Sequence, residues 1–203
     1  MHCKSLARLC VLTSSLLLAC QVLVSGETPD ASIGPFEGHA DIGTVLHPGS
    51  ATYDAAKKTF TVSASGENVW FTTDAFHFVW RKVSGDVAVG ADISFLGAGG
   101  NEHRKAVVMV RQSFNPGSAY ADVALHGNGL TSLQYRDAEG ANTHEIQANI
   151  SAPTRIRIEK RGQYAYMWLG EGGESFTWLG APFASPWKDP STLGSESAPT
   201  TKT

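Results

Sequence analysis

Asp122 and Glu159 are the two acids that strand alternation sets among arginines and aromatic rings. Paired carboxylates are the groups that cleave glycosidic bonds, so both are candidates for that chemistry. Each has arginine neighbours, and ion pairing is the stronger expectation for both. Six histidines follow residue 26: His39, His47, His77, His103, His126 and His144. None falls in a His-x-His or His-Glu-x-x-His spacing, which would set two imidazoles on one metal ion. Glu102 and His103 are adjacent, as are His144 and Glu145, and adjacent residues on a strand point to opposite faces. No metal site is expected from these spacings. No serine sits in a Gly-x-Ser-x-Gly elbow. Residues 97–100 (GAGG) are glycine-rich but lead through charged residues into a strand, which reads as a hairpin loop and not a phosphate cradle. No cofactor is expected.

The elements that must position these groups are strands. Apolar residues alternate at period two, and Gly, Asn, Asp and Pro clusters interrupt them every 8 to 14 residues. That pattern predicts short antiparallel strands in an all-β sandwich or barrel. The expected strands are 36–43, 50–53, 59–64, 76–82, 87–96, 106–112, 119–126, 130–137, 144–150, 154–160, 164–170 and 176–179. Turn residues separate them, among them Gly85, Gly127 to Gly129, Gly140 and Gly162.

Alternation also sorts each strand into two faces. Val108, Val110, Val123, Leu133, Ile156 and Ile158 fall on aliphatic faces and form the expected core. Arg111, Tyr120, Gln134, Arg136, Arg157, Tyr166 and Trp168 fall opposite them and are expected to lie together. Arg and aromatic side chains offer large contact area at modest entropic cost, which suits a binding face. A face covered by the protein's own loops and a plain solvated face are the two other readings.

Residues 1–26 differ from the rest. Lys4 and Arg8 precede an uncharged apolar run from Leu9 to Val24, then small Ser25 and Gly26, the layout of a secretory signal peptide. The chain is therefore expected to be exported to the periplasm or exterior. Leu17 to Cys20 (LLAC) is similar to a lipobox, so a lipid anchor on Cys20 is an alternative to plain cleavage, and the one expected tie to a membrane. All three cysteines lie before residue 21, which leaves the domain without a thiol. Removing Lys4 and Arg8 from sixteen basic residues leaves fourteen against nineteen acidic, a net charge of −5. Nucleic-acid binding is not expected of such a balance. The domain is expected over 27–194, with 195–203 a polar, disordered tail.

Five segments, in order, resemble a known family: FHFVWRKVSGDVAVGADI from Phe76, VVMVRQS from Val107, SAYADV from Ser118, LQYRDAEG from Leu133 and IRIEKRG from Ile156. They are similar to bacterial exported jelly-roll modules of the concanavalin A-like lectin/glucanase superfamily, of a kind found in front of TolB-like β-propellers. The resemblance spans about 36–189. It implies a two-sheet jelly roll with a concave sugar-binding face, and in some members a structural Ca²⁺. No Asp/Asn-rich loop here offers the oxygens for that ion. The Glu-x-Asp-x-x-Glu strand of the superfamily's retaining glucanases is missing as well. A non-catalytic module recognising carbohydrate is the first reading. A protein-interaction or spacer module docking a partner such as a propeller is the alternative, and a polysaccharide-active enzyme comes third. The stretch after Pro190 has too few apolar residues for the closing strand the family implies, so an open sheet edge is expected there.

Overall fold

A computed structural model describes residues 33–97 and 100–171, together with the backbone of two later strands. β1 (Gly38–Ile42), β2 (Ser50–Asp54), β3 (Thr59–Ser63), β4 (Val69–Trp70) and β5 (Thr73–Asp74) come first. β6 (Phe76–Trp80), β7 (Val87–Asp92), β8 (Lys105–Arg111), β9 (Tyr120–His126) and β10 (Thr131–Arg136) follow. β11 (His144–Gln147), β12 (Arg155–Arg161), β13 (Tyr164–Gly170), β14 (Thr177–Trp178) and β15 (Phe183–Ala184) end the series. The described residues contain no helix, and every strand pairing among them is antiparallel.

Two larger sheets carry the architecture. One has the order β11-β10-β9-β8; the other runs β14-β13-β12-β7, with β15 also on β13. Two-stranded sheets β1-β6, β2-β3 and β4-β5 accompany them, and no barrel closes among the described residues. The aliphatic faces of the two larger sheets share one core. Val108, Val110, Val123 and Leu133 from one meet Ile156, Ile158, Met167 and Leu169 from the other, each 7 % exposed or less. Burying side chains of this size stabilises by about 1.5–3 kcal/mol apiece, which fixes the register of both sheets.

The six core residues named from alternation all lie in that cluster. The strand positions also agree, with ends that differ by up to four residues. β4, β5 and β15 were not anticipated, because two residues cannot display a period of two. The leader, the tail and the open edge expected from the stretch after Pro190 lie outside the described residues.

One expectation is corrected. The seven Arg, Gln and aromatic residues do not share a face. Arg111, Tyr120, Gln134 and Arg136 sit on the four-stranded sheet, while Arg157, Tyr166 and Trp168 sit on the sheet of β12 and β13. Because the two sheets turn their aliphatic sides to a common core, the two groups point away from each other. Alternation assigns a face within a strand but does not say which sheet the strand joins.

Candidate functional site

On the four-stranded sheet, Arg111, Tyr120 and Arg136 form one cross-strand row. All three are buried. The segment that covers them is the hairpin of β4 and β5 with its flanks. Asp74 on β5 is fully buried and accepts from Arg136 Nη1 at 2.9 Å, Arg136 Nη2 at 2.8 Å and Arg111 Nη1 at 3.3 Å. Two glycines permit that approach. A Cβ on Gly43 would lie 2.1 Å from the Asp74 carbonyl oxygen, and one on Gly66 would lie 1.8 Å from that of Ala75. Any other residue at either position would push β5 off the sheet.

Arg136 carries the joint. Its guanidinium donates to the carbonyls of Phe71 (3.0 Å), Ser118 (3.1 Å) and Ala141 (3.0 Å) as well as to Asp74, and it stacks 5.0 Å above the Tyr120 ring. Arg111 reaches the carbonyls of Ser113 and Asn115 at 2.7 and 2.6 Å. The Tyr120 hydroxyl lies 3.0 Å from Thr143 Oγ1, and burial together with the nearby Asp122 carboxyl pushes its titration far upward. Gln134 donates to Ser132 and Glu145 and accepts from Lys105, each at 3.1 Å. Lys105 also donates to the Val69 carbonyl beneath the Trp70 ring. These four predicted site residues therefore hold the chain together in this structure. Their hydrogen-bonding capacity goes to other parts of the same molecule.

Asp122 lies between them in the row Met109, Asp122, Gln134, Glu145. It is fully buried, and among the described residues neither carboxylate oxygen has a hydrogen-bond partner. The arginine partner expected for it is not supplied. Burial pushes its carboxyl well up, against the pull of Lys105. Burial also raises Glu145, but hydrogen bonds from Gln147, Ser132 and Gln134 outweigh that and hold it below the usual range. Carboxyls split in this way can serve as acid and base. Here Asp122 is sealed from solvent, so the arrangement has no open path for exchanging a proton with an outside substrate.

The outer face of β12 and β13 is different. Arg157 pairs with Trp168, and Glu159 with Tyr166, across the ladder. All four are partly exposed. Arg157, Glu159, Arg161 and Trp168 line a shallow cleft of about 240 Å³. Glu159 accepts from Arg161 at 2.7 Å and lies 3.7 Å from Arg157, so its expected arginine pairing is met. Arg161 also sits 5.8 Å over the Tyr166 ring. The Trp168 indole nitrogen is buried, with no acceptor among the described residues. Of the seven predicted residues, Arg157, Tyr166 and Trp168 remain within reach of a ligand. Arg161 and Glu159 join them. Strand parity places Glu159 on this face, whereas Arg161 falls just past the expected strand 154–160, in the turn with Gly162, and joins the face because β12 runs one residue further.

No protein-family model matches the chain, and no curated protein or solved structure matches it significantly.

Proposed function

We propose that the chain is a non-catalytic, exported jelly-roll module of the concanavalin A-like type that binds carbohydrate on the outer face of β12 and β13. The observation that carries this reading is the cleft of Arg157, Glu159, Arg161 and Trp168, with the partly exposed Tyr166 ring on the same face. Guanidinium donors, one carboxylate acceptor and two aromatic rings are the groups a pyranose ring needs for hydroxyl bonding and stacking. Two antiparallel sheets sharing one core support the jelly-roll assignment. The charged start and uncharged apolar run of the leader support export to the periplasm or exterior.

The test is retention of the mature protein on a panel of soluble polysaccharides in affinity electrophoresis, with a glycan array alongside. Trp168→Ala removes a stacking ring; Arg157→Ala removes the fork. Each is expected to weaken binding about tenfold or more while leaving the circular dichroism melt close to wild type, as loss of one stacked ring or one charged hydrogen bond implies. Wild-type protein retained by no glycan, or binding indifferent to both substitutions, would overturn the reading.

A further inference from the structure

β1 and β6 assemble a second set of polar groups, far apart in sequence. Asp41 pairs with His77 across the ladder, and His39 lies two residues before Asp41, on the same side of β1. His77 Nδ1 is 2.7 Å from Asp41 Oδ1, and His77 Nε2 is 3.0 Å from His39 Nδ1.

The His77 ring has little freedom. Its side chain is 1 % exposed, and a Cβ on the neighbouring Gly49 would lie 2.2 Å from its Nδ1. The Gly49 amide donates to both Asp41 oxygens, at 3.1 and 3.0 Å, and so fixes the carboxylate. The carboxylate therefore accepts, His77 Nδ1 donates, and the lone pair of a neutral His77 is on Nε2, aimed at His39. A carboxylate that orients one imidazole nitrogen so that the other is free to ligate is the usual outer-shell arrangement around a metal-bound histidine.

The spacing of the two nitrogens also fits an ion. With metal–nitrogen bonds of about 2.0–2.1 Å, two ligand nitrogens stand roughly 2.9 Å apart at a right angle and about 3.3 Å apart at the tetrahedral angle. The observed 3.0 Å falls inside that interval. His39 is part-exposed, which gives an ion a way in. Among the described residues no group of three or more His, Cys, Asp or Glu gathers around one point. The protein donors are thus two, and water must complete the shell.

We propose that His39 Nδ1 and His77 Nε2 bind a divalent transition-metal ion, with Asp41 positioning His77. Imidazole donors suit Cu²⁺ and Zn²⁺, and the general affinity order puts Cu²⁺ first. In the metal-free protein the same two nitrogens share one proton in a hydrogen bond, which the ion replaces.

The experiment is a titration of the mature protein, purified without a polyhistidine tag, with CuSO₄. It is followed by electron paramagnetic resonance and repeated with ZnCl₂ by calorimetry. One equivalent of Cu²⁺ with nitrogen hyperfine structure is expected. His39→Ala should abolish that site, Asp41→Asn should weaken it about 10–100-fold, and His47→Ala should leave it unchanged. His77 is not substituted, because its ring is packed inside the protein. Absence of a saturable equivalent, or one that survives His39→Ala, would overturn the assignment. Neither outcome bears on sugar binding at β12 and β13.

Discussion

Replacing Asp74 by Asn tests whether the joint between the β4–β5 hairpin and the four-stranded sheet is electrostatic. The substitution keeps the volume and removes the charge. In the native protein Asp74 is fully buried and is the common acceptor of two buried guanidiniums. With Asn in its place, Arg111 and Arg136 stay buried on either side of Tyr120 with no anion between them, and an amide N–H faces one of their donors. Breaking a buried ion pair from one side costs about 3–5 kcal/mol, because the remaining charge stays desolvated. Domains of this size have roughly 5–15 kcal/mol in total, so the variant should be close to the limit of folding. Urea unfolding followed by tryptophan fluorescence measures the loss. The double variant Asp74→Leu with Arg136→Met should recover part of it, since no unpaired charge remains between those two positions. Recovery stays incomplete because Arg111 remains buried without its anion and the carbonyls of Phe71, Ser118 and Ala141 lose their donor. A loss below about 1 kcal/mol for Asp74→Asn would show that packing alone holds the hairpin, and the argument from the buried charges would fail.

Asp122→Asn should do the opposite, and only above acidic pH. Burial raises the Asp122 carboxyl in the folded state, so the folded protein binds the proton more tightly than the unfolded chain. Stability is then lost as pH rises from the unfolded value near 4 towards the folded one, despite the counter-pull of Lys105 and Arg111 and with Asp74 adding to the rise. Urea midpoints at pH 4.5, 6 and 8 should therefore show the variant gaining on wild type step by step; a constant difference would refute this. Gly66→Ala should destabilise more than Gly85→Ala, although Gly85 has a φ of 73° and Gly66 does not lie in the left-handed region. A Cβ at Gly66 meets backbone at 1.8 Å, whereas at Gly85 it meets open space and only the conformational strain, about 1–2 kcal/mol, applies. Equal thermal midpoints for the two would remove the close-approach explanation.

Alternation made the strands and the core legible because the spacing of Val108, Val110, Ile156 and Ile158 is itself the burial pattern. It could not show that the opposite face of β8 to β10 lies under a second layer. A buried Arg136 and a solvent-facing Arg157 have the same parity, and only the position of Asp74 distinguishes them. That aspartate sits on a two-residue strand, too short to read. A hint existed in composition: Arg111 and Arg136 on one sheet need a counter-charge, and Thr73-Asp74-Ala75 enters just before an aromatic strand. His39 and Asp41 were also legible as a same-face pair, but their partner His77 comes from a strand 36 residues further on from Asp41.

The Arg136–Asp74 joint also sets an order of assembly. Its partners are 62 residues apart, while β8, β9 and β10 follow one another through short connections. Neighbouring strands close small loops quickly, whereas a contact of long sequence separation must wait for its slower closure. Asp74 has no anion-binding row to meet until Arg111, Tyr120 and Arg136 are aligned across three strands. The sheet is therefore the template and the hairpin the late arrival. Until it docks, the newly formed sheet carries a bare row of cationic and aromatic groups. The chain is thus most exposed to unwanted association between the pairing of β8, β9 and β10 and the arrival of residues 69–74.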